Sequence, residues 1–358
     1  MFTRNCRNYK KTSQKKKTQK TIIFVILLIS LIFVFLLDLA FGSVHIPIQE
    51  VINVLLGGEA IKASWNTIIL KFRLPKALTA TLAGAALGVS GLQMQTLFKN
   101  PLAGPFILGI SSGASLGVAL IVLAVNTTAM GALIANFGII NDLALVIAAT
   151  LGAGLVLGMV LLISHHVADS MTLLILGLLL GYATSAIVSI LLQFSENNQI
   201  QSYLQWTFGS FGGVTWRQMV ILAPVVLLGL IVSLLLSKPL NVMLLGETQA
   251  RTLGLSIQTI RFWIIGNASI LAGAITAFCG PIGFLGVVVP HLCRSLFKTV
   301  DHKILIPVVA VMGAIIALLA DLLSQLPGSQ SVLPLNSVTA LIGTPIVMWV
   351  ILYRHRSI

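Results

Sequence analysis

Ten stretches of apolar residues separated by short polar connections divide the chain from residue 21 onward, at about 21–41, 74–97, 106–125, 143–164, 172–194, 218–237, 258–278, 282–297, 304–323 and 335–353. Most reach the ~20 residues that a helix rising 1.5 Å per residue needs to cross about 30 Å of hydrocarbon. The eighth is short and carries Pro290, which predicts a half-span buried among its neighbours. The first has an apolar run, Ile22 to Leu37, that is long for a signal peptide, and no clear A-x-A site follows. It is read as a retained span. The pattern predicts an all-α, polytopic membrane protein of about ten transmembrane helices.

Composition agrees. The chain is 57% hydrophobic and 9% charged, with mean hydropathy +1.02, whereas a soluble domain carries roughly 25% charged residues. The net charge of +13 is concentrated at the N-terminus, where Arg4, Arg7, Lys10, Lys11, Lys15, Lys16, Lys17 and Lys20 make residues 1–20 a basic tail. Beside an apolar span such a tail holds the N-terminus in the cytoplasm and touches anionic lipid; it does not suggest nucleic acid. With the N-terminus inside, nine more basic residues fall on the cytoplasmic side: Lys99, Lys238, Arg251, Arg261, Arg294, Lys298, Lys303, Arg354 and Arg356. Only Lys62, Lys71, Arg73, Lys76 and Arg217 fall outside, and the even number of spans returns the C-terminus to the cytoplasm.

Within the spans the informative residues are small. Gly84/Gly88, Gly109/Gly113/Gly117, Gly154/Gly158 and Gly177/Gly181 are spaced four apart, as expected where close backbone contact supplies helix attraction in lipid. Leu82–Ala85 with Gly91, and Leu271–Ala274 with Gly280, form an echo on two spans expected to run in opposite directions. Such an echo is either an inverted repeat of the transporter kind or a coincidence among Gly/Ala-rich helices.

Chemistry is sparse. All nine acidic residues lie in loops or near span ends, which argues against an ion-coupled carrier with a buried ionisable group. There is no G-x-x-x-x-G-K-[ST] phosphate loop, so nucleotide hydrolysis is not expected on this chain. His165 and His166 are adjacent and point ~100° apart on a helix, unsuited to a shared metal. His291 reads as packing or loop structure. Cys279 and Cys293 read as packed thiols, and with Cys6 they have no metal spacing. No catalytic residue, metal site or cofactor is expected. The segment Gly246–Leu255 is polar and short, compatible with a helical turn ended by Gly254. It is either an ordinary turn or a docking helix for a soluble partner.

Five motifs in order bring the chain close to a known family. Arg73-Leu74-Pro75-Lys76, Asn100-Pro101-Leu102-Ala103, the E-x-x-A-R-x-L-G pattern at Glu247–Gly254, Gly283-Phe284-Leu285-Gly286 through Pro290-His291 and Arg294, and Asp301-His302 together resemble the FecCD-type permeases of iron-chelate and cobalamin ABC importers. The resemblance spans roughly residue 45 to the C-terminus and leaves the basic tail outside. It implies a permease domain over 21–358 in the cell membrane, working as a dimer with a second copy or a sister permease. ATP-binding-cassette ATPase subunits would dock on one side and an extracytoplasmic substrate-binding protein on the other.

By the same likeness Glu247, Ala250, Arg251 and Gly254 form the ATPase-coupling loop, and Asn100 and Leu102 the cytoplasmic gate. Arg73 and Lys76 face outward to grip acidic residues of the binding protein. One departure stands out: Gln325, after Ala320-Asp321, occupies the place of a docking arginine in the cobalamin member. The implied cargo is an iron chelate, a ferric siderophore first, with haem and cobalamin as alternatives. The transport path is expected to be apolar and lined by small residues, leaving selectivity to the binding protein. An ion-gradient-driven secondary transporter and a non-transporting membrane receptor are the rival classes.

Overall fold

The computed structural model describes residues 2–42, 44–124, 140–167, 170–325 and 332–354. Asp169 and Arg356 lie outside the described residues, as do the side chains of residues 2–17, Asp142, His165, His166 and Arg354.

Among the described residues every regular element is helical. Helix α1 (Phe2–Ala40) runs unbroken from the basic tail through the first apolar segment, and α2 (Ile48–Leu55) is a short amphipathic helix after it. Then follow α3 (Ala63–Leu97) and α4 (Ile110–Leu123), α5 (Ile140–His166), α6 (Ser170–Gln193), α7 (Asn197–Thr207), α8 (Trp216–Leu235) and α9 (Ser237–Met243). The chain closes with α10 (Glu247–Thr252), α11 (Ile257–Cys279), α12 (Leu285–Phe297), α13 (His302–Ser324) and α14 (Leu335–Arg354). Among the described residues seven helices are long and apolar enough to cross a membrane, and α4, α12 and α14 are apolar over shorter described stretches. Each of the ten apolar segments of the sequence overlaps one of these helices, seven of which have the length of a span. At 13 residues α12 is only ~20 Å long, in keeping with a half-span.

One boundary differs. The sequence places the start of the second span at Leu74, whereas α3 begins at Ala63 and is helical through a π-turn at Ile68–Arg73. Pro75 explains both readings. Proline fits the first turn of a helix, so it reads as a start. Lacking an N–H, it also cannot bond the carbonyl of Lys71, and the wider π-turn absorbs that defect inside a continuous helix.

Helix α3 is the buried axis. It packs against α13, α11, α12 and α8, while α4 packs against α5 and α6, and α11 also touches α5, joining the two groups. Glycine sets the closest crossings. The backbone of Gly84 lies directly on that of Gly313 of α13, and Gly113 of α4 on Gly152 of α5. Gly154 and Gly158 differ: nothing lies within 4 Å of where a Cβ would stand, so this pair makes none of the close helix contact its spacing suggests.

A buried polar triad adds direction. Gln93 donates to Ser233 Oγ (2.9 Å), and Asn267 donates to the same oxygen (2.8 Å) and to Gln93 Oε1 (3.3 Å), tying α3, α8 and α11. Ser90 donates to the carbonyl of Ala268 (2.7 Å). Since α3 ends where α11 begins, the two helices bearing the echo do run in opposite directions. Cys279 and Cys293 are free and buried.

Candidate functional site

The polar residues of the loops gather at the two ends of the bundle. At one end α10 stands between α9 and α11. Gly246 (φ +113°) admits the chain and Gly254 (φ +82°) ends the helix. Leu255 N–H bonds the Ala250 carbonyl (3.1 Å) and Gly254 N–H that of Arg251 (2.9 Å). This pairing is a Schellman stop, which needs a left-handed residue at Gly254. Ala250 is fully buried, and Thr248, Gln249, Arg251 and Leu253 are exposed. Glu247 at the N-terminus and Arg251 in the last turn both suit the helix dipole. The E-x-x-A-R-x-L-G pattern is thus a short, rigid helix with one inward anchor.

Glu247 itself does not point outward. Its Oε1 lies 3.1 Å from Arg261 Nη2 on α11, and the Glu247 side chain is 28% exposed. Arg261 is 2% exposed and donates through Nη1 to the Val167 carbonyl (2.9 Å), just past α5.

Asn100 and Leu102 sit beside this helix in the turn that follows α3. Leu102 N–H donates to Asn100 Oδ1 (2.9 Å) and Ala103 N–H to the Asn100 carbonyl (3.1 Å), so Asn100 shapes the turn and Leu102, 45% exposed, crowns it. Lys99 enters the turn with φ +48°, and its Nζ lies 3.5 Å from where a Cβ on Gly246 would stand. Helix α12 braces the turn from the other flank. His291 Nε2 lies 2.8 Å from the Pro101 carbonyl, an acceptor that requires the proton on Nε2, and Arg294 donates to Gln95 Oε1 (2.5 Å). The packing role read for His291 is therefore specific: it holds the backbone of the Asn100–Leu102 turn.

Asn241 of α9 completes this end. Its amide donates to Asp301 Oδ1 (2.7 Å), while its Oδ1 accepts from the His302 backbone (2.8 Å) and meets His302 Nδ1 (2.8 Å). His302 Nε2 lies 2.8 Å from Thr96 Oγ1 of α3. The Asn241 hydrogen bond is the main reason the Asp301 carboxyl is held below its ordinary range. Arg261, His291 and Asn241 were not singled out as site residues in the sequence. The Pro-His-x-x-Arg and Asp-His pairs were the available signal for the latter two, and Arg261 carried none.

At the opposite end Arg73 and Lys76 come together with Asp38, Asp321 and Gln325. Arg73 is 8% exposed, and its guanidinium donates to the carbonyls of Leu39 (2.7 Å), Ala40 (2.9 Å) and Val44. It thereby fastens the C-terminus of α1 to α3 instead of presenting its charge outward. Lys76 Nζ pairs with Asp321 Oδ2 at 2.6 Å, and Gln325 Nε2 donates to the same oxygen at 2.8 Å. Lys76, Asp321 and Gln325 border a cavity of about 460 Å³ with Phe208, Ser210 and Leu333. No group of three or more His, Cys, Asp or Glu able to hold a metal occurs among the described residues.

Comparison with known proteins matches residues 29–353 to the FecCD transport family. The vitamin B12 import system permease protein BtuC of Salmonella schwarzengrund (strain CVM19633) is 36% identical over 302 residues, covering 84% of this chain and 88% of that protein. An uncharacterized ABC transporter permease protein of Bacillus subtilis (strain 168), YvrB, is 34% identical over 331 residues, with 90% and 91% covered. A solved ABC transporter in an inward-facing conformation, assigned to the metal-chelate type, superposes with TM-score 0.80 at 28% identity, covering 93% of this chain and 99% of its own.

Proposed function

The chain belongs to the FecCD transport family, and on that premise we propose that it is the permease subunit of an ATP-binding-cassette importer for a metal chelate, with a ferric siderophore as cargo. It crosses the cell membrane about ten times with both termini in the cytoplasm, and pairs with a second copy or a sister permease. ATP is hydrolysed on separate ATPase subunits. Cargo is delivered by an extracytoplasmic substrate-binding protein.

The observation that carries this reading is α10. Six residues form a helix ended by a Schellman stop, with Ala250 anchored in the bundle and Gln249, Arg251 and Leu253 facing out, on a chain that lacks a phosphate loop of its own. Such a helix suits seating in a cleft of a soluble ATPase, with Arg251 the exposed charge and Glu247 and Gly254 fixing its two ends. Asn100 and Leu102, beside it, would form the gate that its displacement opens. At the other end Lys76, on the rim of the cavity, would meet an acidic residue of the binding protein, while Arg73 supports that surface by holding α1. Charge pairing of this kind governs orientation and on-rate more than affinity. Because Gln325 turns inward to Asp321, the surface offers no arginine there. This favours a siderophore system over close equivalence with cobalamin import.

The test is affinity capture of the tagged protein from mild detergent with mass spectrometry, followed by uptake of a labelled ferric hydroxamate and of labelled cobalamin in cells. Recovery of a phosphate-loop ATPase and ATP-dependent iron uptake are expected. Uptake that follows an ion gradient, with no ATPase recovered, would replace this reading by the secondary-transporter one.

A further inference from the structure

Arg261 occupies an unusual place for a charged residue. It is the largest fully buried side chain among the described residues, on the second turn of α11 near the end of the bundle that carries α10. A guanidinium removed from water must recover its hydration through hydrogen bonds, and a fork of donors can serve two acceptors that diverge in space. Here the two acceptors belong to different parts of the chain. Nη2 pairs with Glu247 of α10 and Nη1 holds the Val167 carbonyl, in the connection from α5 to α6.

Three elements therefore converge on one side chain, and one of them is the short helix whose Ala250 is buried in the bundle. On the other side Asn241 links α9 to the start of α13, and Lys99 Nζ lies beside Gly246.

We propose that Arg261 is a positioning residue that couples α10 to the membrane helices, carrying a displacement of α10 into α11 and the α5–α6 connection. The inference rests on the reading of α10 as the helix an ATPase moves. A lysine could pair with Glu247 but lacks the second arm for Val167, so geometry as well as charge is required. Separation of the pair would strand a buried charge, so α10 and α11 move together or not at all.

The test uses the complete complex with its ATPase, in a chain with Cys6→Ser, so that the remaining native thiols, Cys279 and Cys293, are buried. Met171→Cys, at the exposed start of α6, reports the α5–α6 connection, and its labelling rate by a soluble maleimide is compared without nucleotide and after ATP–vanadate trapping. The parent chain is expected to change its rate severalfold. In Arg261→Gln and in Glu247→Gln that nucleotide response collapses, and the double variant is no worse than either single one. A response of parental size in either variant, or losses that add, overturns the inference. If Arg261→Gln does not accumulate in the membrane, Glu247→Gln decides by the same criterion. Absence of an ATPase, or of any nucleotide response, in the parent chain would instead overturn the reading of α10 on which the inference stands.

Discussion

Replacing glycine by alanine at two positions that look alike in the sequence should give opposite results. Gly84 and Gly154 each open a four-residue glycine spacing in an apolar helix. A Cβ on Gly84 would fall inside the van der Waals surface of the Gly313 carbonyl and only 2.8 Å from the Ala314 nitrogen, both backbone atoms that no side-chain rotation can clear. The α3–α13 crossing must then open by about 1 Å, and a gap of that size forfeits a quarter to a half of each dispersion contact along the seam. Overpacking of this kind costs about 1–3 kcal/mol, partly offset by the roughly 1 kcal/mol by which alanine is the better helix former. At Gly154 nothing lies within 4 Å, so only the helix term remains and Gly154→Ala should be neutral or stabilising.

The assay is thermal unfolding in detergent, read by a thiol-reactive dye in the Cys6→Ser background. Buried Cys279 and Cys293 react only once the bundle opens. Gly84→Ala should lower the midpoint by several degrees, at about 2–4 °C per kcal/mol or somewhat less for so large a chain, and Gly154→Ala should not lower it. Equal effects at the two positions would refute the claim that backbone contact at Gly84–Gly313 sets the α3–α13 distance.

Other consequences can be measured with the same protein. Asn267→Leu removes both amide donations of the α3–α8–α11 triad and should cost about 0.5–2 kcal/mol, the scale of interhelical hydrogen bonds in membranes, with a larger loss than an exposed polar-to-leucine change such as Ser189→Leu. Lys76→Met takes the paired cation away from buried Asp321, which lies beside Asp38, so it should destabilise by about 1–3 kcal/mol after allowance for the 19% exposure of Lys76, and Asp321→Asn in the same chain should restore much of the loss. The hydrogen bond from Asn241 depresses the folded-state affinity of Asp301 for a proton. Its contribution is therefore complete above the ordinary carboxylate value of about 3.9 and is lost as pH falls through the lower folded value. Asn241→Leu should flatten the acid limb of a stability profile recorded by tryptophan fluorescence, and an unchanged limb would argue against that bond.

The apolar helices could be read directly because run length and residue polarity are local quantities, and in hydrocarbon a run of ~20 apolar residues must satisfy its own backbone as a helix. The stop at Gly254 was legible for the same reason, since a Schellman turn is written in a few adjacent residues. The five motifs carried the family. What the apolar pattern did not disclose was anything decided by approach from elsewhere in the chain. The spacing of Gly84/Gly88 and that of Gly154/Gly158 are identical, yet one lies against another backbone and the other against open space.

Arg73 and Arg261 make the point most clearly. In the sequence both are charges at span ends, read by side of the membrane, and Glu247, which pairs with Arg261, reads as part of a polar docking loop. In the folded chain both guanidinium groups are buried, each on carbonyls at or just past a helix end: Leu39 and Ala40 in the last turn of α1, and Val167 after α5. The last carbonyls of a helix have no intrahelical donor, and a desolvated arginine needs acceptors, so each satisfies the other where they meet. Sequence determines that such carbonyls and such an arginine exist. Only the packing of the helices decides which arginine reaches which end.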